Sequence, residues 1–117
     1  FTGLINLNSI SLIGNRLSQI KNSSFQDLKK LEKLDISLNQ INSIENDSFL
    51  DLINLKSLSL SNNQIKNIGQ FTLENLKILE KLDLSSNQIE SIESNSFISH
   101  PNLLVLKLNG NMLNEIN

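Results

Sequence analysis

Cysteine, tryptophan and tyrosine are absent from the sequence, and only five phenylalanines and one proline occur among its 117 residues. The absence of cysteine excludes internal disulfides. Aromatic residues make up 4% of the chain and hydrophobic residues 38%, so aliphatic side chains must build the core. A chain of this length is expected to form one domain with a modest core.

A basic field and a long apolar run are also missing. The chain has 10 lysines and arginines against 12 acidic residues, without a local basic cluster, so nucleic acid is not an expected partner. No apolar stretch approaches the ~20 residues that span a bilayer, and the start of the chain lacks the pattern of a signal peptide. We therefore expect no membrane insertion by this segment.

The most informative feature of the chain is its repetition. Residues 34–44 read LDISLNQINSI and residues 82–92 read LDLSSNQIESI, with three differences in eleven positions. An asparagine recurs at a constant 24-residue step, at Asn15, Asn39, Asn63, Asn87 and Asn111. Each 24-residue unit is therefore interpreted as one turn of a repeat structure.

Apolar residues keep the same step. The aromatic column consists of Phe1, Phe25, Phe49, Leu73 and Phe97, and a second column of Leu4, Leu28, Leu52, Leu76 and His100. Phe71 stands two residues before the place of the aromatic column. We predict that Leu73 fills the core there, since cores tolerate aliphatic side chains of similar volume. Phe71 would then be partly exposed, as a candidate convex contact or folded over its own loop.

The unit LxxLxLxxN, followed by isoleucine, phenylalanine and leucine at fixed gaps, resembles the leucine-rich repeat family over the whole chain. Its length and phenylalanine resemble the typical extracellular subclass of Toll-like receptors, Slit and small leucine-rich proteoglycans. The resemblance implies an α/β solenoid, a right-handed horseshoe with short parallel strands on its concave face and loops or short helical turns on its convex face. We expect residues 1–117 to form about five units, an uncapped fragment of a longer chain.

The alternation of the L-x-L segment predicts one strand per unit, near residues 10–12, 34–36, 58–60, 82–84 and 106–108. The asparagine column follows each strand, and an amide offers an acceptor and two donors. We predict a structural ladder in which Asn63, for example, bonds the backbone of its own and the neighbouring unit. Its neighbour Asn62 is expected to tolerate replacement by alanine.

Catalytic chemistry finds little support in the sequence. His100 is the only histidine, and it lacks a cysteine or a serine–carboxylate partner, so we interpret it as structural. Asp35 and Asp83 point outward, but they lie two units apart, roughly 10 Å, which is too far to chelate one ion. We therefore predict no enzyme, no metal site and no cofactor.

The outward strand residues form the candidate binding surface. The predicted partner-binding residues on the concave face are Lys33, Asp35, Ser59, Lys81, Asp83 and Lys107. This surface carries no tyrosine, tryptophan or arginine, the residue types that dominate binding hot spots. A spacer whose partner binds elsewhere on a longer array is therefore an equal alternative.

Two Asn-x-Ser sequons, at Asn22 and Asn46, lie in equivalent loops and are candidate sites of N-glycosylation. With the family resemblance they favour an extracellular or cell-surface location. The first functional hypothesis is a protein-recognition module of a receptor-like ectodomain. The second is a structural, adhesion or matrix protein that acts as a spacer or assembly surface. Because uncapped repeats expose apolar ends, we also predict self-association of residues 1–117.

Overall fold

The structure, a computed structural model, describes residues 3–69, 71–93, 97 and 100–116. Each repeat contributes one three-residue strand: β1 (Ser9–Ser11), β3 (Lys33–Asp35), β5 (Ser57–Ser59), β7 (Lys81–Asp83) and β9 (Val105–Lys107). Each also contributes one two-residue strand: β2 (Gln19–Ile20), β4 (Ser43–Ile44), β6 (Asn67–Ile68), β8 (Ser91–Ile92) and β10 (Glu115–Ile116).

The long strands form one parallel sheet in the order β1-β3-β5-β7-β9. Ser9 pairs with Lys33 and Lys33 pairs with Ser57, so the hydrogen-bond register equals the 24-residue repeat. A slip of one residue would turn every buried leucine to the outside, so the apolar pattern enforces this register. The predicted parallel solenoid is confirmed.

The predicted strand bounds are wrong by one residue. The paired segments are 9–11, 33–35, 57–59, 81–83 and 105–107, each one residue before the expected segment. The prediction took the two inward residues, such as Leu34 and Ile36, as the strand ends. Pairing is instead centred on the first of them, because the N–H groups of Glu32 and Lys33 both bond to Asn8 O at the strand start.

A second tier of short strands was not predicted. It pairs β2 with β4 and, separately, β6 with β8 and β8 with β10, again in the register of one repeat unit. Buried isoleucines such as Ile20 and Ile68 lie in these strands. Their β-branched side chains favour an extended backbone.

The return segments between the two tiers consist of turns. Successive i to i−3 hydrogen bonds, such as those from Leu52 N–H to Phe49 O and from Leu55 N–H to Leu52 O, carry the chain back toward the sheet. The described residues contain no helix that is long and apolar enough to cross a membrane.

The core lies between the long strands and the return segments. Leu34, Leu58 and Leu82 are each 1% exposed, and the rings of Phe25 and Phe49 stack at a centroid distance of 6.1 Å. The irregular third unit has Leu73 buried in the aromatic column and Phe71 51% exposed.

The turn after each long strand requires a left-handed backbone. The residues at this position have φ between 54° and 74°: Gly14, Leu38, Asn62, Ser86 and Gly110. Glycine and asparagine adopt this conformation readily, whereas leucine does so at a cost. The expected tolerance of Asn62 to alanine needs correction, because alanine at φ 54° would be strained.

Replacing Leu38 by asparagine is expected to raise the free energy of unfolding by about 0.5–1 kcal/mol. Leu38 has φ 56° and is 55% exposed, so the substitution relieves backbone strain and loses little buried surface. Leu50→Asn is a matched control, because Leu50 is 50% exposed and does not have a positive φ. Urea midpoints test this prediction, and a Leu38→Asn midpoint at or below that of the wild type would contradict it.

Candidate protein-binding face

The side chains that point away from the core on the five long strands form one surface, which we call the sheet face. It comprises the first and third residues of each long strand: Ser9, Ser11, Lys33, Asp35, Ser57, Ser59, Lys81, Asp83, Val105 and Lys107. The middle residue of each strand points the other way, as the strand period of two requires. All six predicted partner-binding residues lie on this face.

Charges alternate along the sheet face because the sequence repeats them in every second unit. Lys33 and Lys81 are exposed on either side of Ser57, and Asp35 and Asp83 are half-buried on either side of Ser59. Strand spacing places like charges roughly 10 Å apart.

The two aspartates are held by the turns that follow them. Asp35 Oδ1 accepts hydrogen bonds from the Ser37 N–H at 3.0 Å and the Ser37 hydroxyl at 2.6 Å. Asp83 makes the same pair of bonds with Ser85. Their second oxygens, Oδ2, accept no hydrogen bond from a described residue, so each carboxylate keeps an acceptor while its position is fixed.

Two shallow depressions run along the sheet face and share the central strand β5. One has a volume of about 250 Å³ and is lined by Asp35, Ser59, Lys81, Asp83 and Lys107, with Ser57 and Val105. The other, of about 240 Å³, is lined by Lys33 together with Asp35, Ser57 and Ser59. The sheet face therefore presents side-chain donors and acceptors at a fixed spacing, which could hydrogen-bond to an extended polar surface of a partner.

The structure does not bring Phe71 to this face, because Phe71 lies in the return segment of the third unit. Within the described ranges, no group of three or more histidine, cysteine, aspartate or glutamate side chains is placed to hold a metal ion.

The asparagine column links neighbouring units through hydrogen bonds next to the ends of the long strands. The Asn63 amide donates to Leu60 O at 3.0 Å in its own unit and to Ile36 O at 3.1 Å in the preceding unit. Its Oδ1 accepts the Ile41 N–H at 2.9 Å. Equivalent bonds to the preceding unit are made by Asn39, Asn87 and Asn111. The first member, Asn15, bonds to Leu12 O of its own unit.

The two sequons differ in their surroundings. Asn22 and Asn46 are both exposed, and Asn22 Oδ1 accepts the Asp47 N–H at 3.1 Å. The third residue of the second sequon, Ser48, is buried, and its hydroxyl donates to Ile20 O at 3.0 Å.

His100 has a structural contact that its sequence position did not reveal. Its side chain is buried, and Nε2 lies 2.8 Å from Leu73 O of the preceding unit. Nδ1 is buried without a hydrogen-bond partner among the described residues. Its ring and that of Phe97 form a T-shaped pair with a centroid distance of 6.1 Å.

Comparison with known proteins gives one family and many matching solved structures, of which one is described here. A family model described as leucine rich repeat matches residues 5–65 and again 53–113. The structure of the Toll–Spatzle complex of Drosophila, described as a molecular hub in development and innate immunity and solved in its glycosylated form, contains a chain that superposes with a TM-score of 0.87.

That chain is 29% identical in sequence, and the match covers 94% of the present chain. It covers 14% of the Drosophila chain, so the present chain spans about one seventh of that length. No match was found among curated protein sequences. The two family-model matches together span nearly all of the 24-residue units, and the chain belongs to the leucine-rich repeat family.

Proposed function

We propose that the sheet face binds a protein partner, and that the chain acts as a recognition module. The observation that carries this proposal is that, within each long strand, the middle residue points to the core and the two outer residues point to the sheet face. Middle residues such as Leu58 build the core, whereas the first residues of neighbouring strands are exposed at Lys33 and Lys81 and half-buried at Ser57. A rigid sheet with polar side chains at a fixed spacing suits the recognition of a folded or extended protein surface.

A receptor-like, extracellular setting is the finer part of the proposal. The similarity to a chain of the Toll–Spatzle complex, which was solved in its glycosylated form, supports it. The exposed sequon asparagines Asn22 and Asn46 are compatible with such a setting and are proposed as glycosylation sites.

The proposal is tested with an array of purified secreted proteins, probed with the wild-type chain and a double variant, Lys33→Glu with Lys81→Glu. The side chains of these exposed lysines make no hydrogen bond or ion pair with a described residue, so the change is expected to leave the fold intact. Asp35 and Asp83 are unsuitable for this purpose because they hold the turns after their strands. We expect at least one interaction to weaken by about tenfold or more, as charge reversal places like charges across an interface.

The matched control is Lys29→Glu with Lys77→Glu. These two lysines are exposed, are separated by two repeat units like the first pair, and lie in the return segments. The proposal predicts that the control keeps the interaction. The opposite result would contradict it: if every interaction survives the reversal of Lys33 and Lys81 but is lost in the control, then the return segments bind the partner.

A structural or adhesion role is the second candidate. It is favoured by the composition of the sheet face, which has no tyrosine, tryptophan or arginine to act as a binding anchor. In that case neither double variant changes any interaction, and the 24-residue units serve as a spacer or assembly surface.

A further inference from the structure

Leu38 is an exposed leucine on a strained backbone, and the fold does not require a leucine at this position. Its side chain is 55% exposed, and its φ of 56° is a conformation that leucine adopts at a cost. The same turn position in the other units holds small or polar residues: Gly14, Asn62, Ser86 and Gly110. A residue that strains the backbone without packing in the core points to a role outside folding.

The backbone strain distinguishes Leu38 from other exposed hydrophobic residues of the same units. Among the described residues from 21 to 93, the other large exposed hydrophobics are Leu50, Ile53 and Phe71. All three lie in return segments, and none has a positive φ. Single exposed apolar residues are common on protein surfaces and need no special role. Described units lie on both sides of Leu38, so its exposure belongs to the interior of the solenoid.

The turn that holds Leu38 is fixed to the next unit and to the sheet face. The Leu38 N–H donates to Ser61 O at 3.0 Å. The preceding residue, Ser37, donates both its N–H and its hydroxyl to Asp35 Oδ1. Leu38 therefore lies in a rigid turn just after the carboxyl end of β3. An anchor on a backbone that is already ordered loses less conformational freedom when it binds.

We propose that Leu38 is the apolar anchor of the sheet face and enters a shallow apolar recess on the protein partner. This inference rests on the proposed function. It supplies what the composition of the sheet face lacks, namely a large side chain that excludes water from the centre of a contact.

The surroundings of Leu38 define the chemistry of the partner. The recess accepts a branched aliphatic side chain, and a lysine or arginine lies at its border. Asp35 is the reason for this basic group, because its Oδ2 accepts no hydrogen bond from a described residue while its Oδ1 is held by Ser37. A cation opposite a fixed carboxylate gives the contact both charge complementarity and a defined orientation.

The proposal predicts that stability and affinity respond in opposite directions at position 38. Asparagine relieves the strain of the left-handed backbone, so Leu38→Asn is expected to be folded and more stable than the wild type. The same change removes the apolar surface that the partner would cover, so binding is expected to weaken. A loss of binding by a more stable variant cannot arise from unfolding.

The experiment probes the array of purified secreted proteins with Leu38→Asn, Leu38→Met and Leu50→Asn. For each interaction that weakens when Lys33 and Lys81 are both reversed to glutamate, Leu38→Asn is expected to weaken binding by about tenfold. Methionine keeps an apolar side chain of similar volume, so Leu38→Met should weaken binding by less than about threefold. Leu50→Asn is the matched control, because Leu50 is equally exposed but lies in a return segment, and it should leave binding unchanged.

The possible results separate the anchor from the proposed function. An interaction that needs Lys33 and Lys81 but is unchanged in Leu38→Asn would overturn the anchor and leave the proposed function standing. Equal weakening by Leu38→Asn and Leu50→Asn would also overturn the anchor. If no interaction depends on the two lysines, the proposed function fails and the anchor fails with it. Analytical ultracentrifugation covers the remaining occupant: self-association of the wild type that is lost in Leu38→Asn would assign the recess to a second copy of this chain and overturn the partner proposed.

Discussion

Phe49→Ala is expected to lower the free energy of unfolding by about 3–5 kcal/mol, the usual cost of truncating a buried aromatic residue. Phe49 is 1% exposed and stacks on Phe25 of the preceding unit, so its removal opens a cavity between two units. Neighbouring units hold each other in a repeat solenoid, and the loss is therefore expected to reduce the cooperativity of unfolding as well. Equilibrium urea unfolding, followed by circular dichroism, measures both effects.

Phe71→Ala is the matched control for this prediction. It removes the same atoms, but Phe71 is 51% exposed and Leu73 occupies the aromatic column in its place. We expect a change within about 0.5 kcal/mol, as is usual for surface substitutions. Equal losses in the two variants would show that Phe71 belongs to the core and that the third unit is wrongly aligned.

Asn63→Ala is expected to lower the free energy of unfolding by about 2–3 kcal/mol. The side chain is buried and bonds to backbone groups of its own unit and the preceding unit, but these groups do not depend on it equally. Ile36 O and Leu60 O also accept from the amides of Asn39 and Asn87, so each keeps a donor. The Ile41 N–H has Asn63 Oδ1 as its acceptor and loses it, which leaves a buried donor unpaired.

The control for Asn63 is the adjacent Asn62→Gly. Asn62 is exposed and has φ 54°, a conformation that glycine adopts without strain. Asn62→Gly should lower the free energy of unfolding by less than about 1 kcal/mol. Asn62→Ala is unsuitable as a control, because an alanine in the left-handed conformation adds backbone strain. Comparable falls in the urea midpoint of Asn63→Ala and Asn62→Gly would contradict the role of the asparagine ladder.

The constant period made the solenoid predictable from the sequence. An unbroken 24-residue step fixes which residues are neighbours, so the parallel pairing of Leu34 with Leu58 followed directly from the columns. The same pattern identified Leu73 as the core residue of the irregular third unit. The strand pairing and the core positions both depend on the burial of apolar side chains, and the sequence places apolar residues at the same positions in every repeat.

Local backbone chemistry was less predictable. The strand bounds were displaced by one residue because apolar alternation marks which side chains point inward, not which peptide groups pair. The positive φ of Leu38 was not foreseen, since leucine carries no signal for that conformation and only the glycines of its column suggest it. The contact between His100 and Leu73 O joins residues 27 positions apart and depends on side-chain geometry.

The candidate site was predictable as a surface and not as a set of bonds. Outward strand positions follow from the period of two, and this placed Lys33 and Lys81 on one face. That Asp35 also holds its turn through Ser37 depends on the conformation after the strand. This bond distinguishes the aspartates, which hold the turns after their strands, from the lysines, whose side chains make no such bond with a described residue.

The central claim, that the sheet face is the recognition surface, is tested most directly by site-specific photo-crosslinking. A photoreactive amino acid is placed at Lys81 on the sheet face or at Lys77 in the adjacent return segment, and the interacting protein identified on the array is added. We predict a covalent adduct from position 81 and none from position 77. An adduct from position 77 with none from position 81 would contradict the claim.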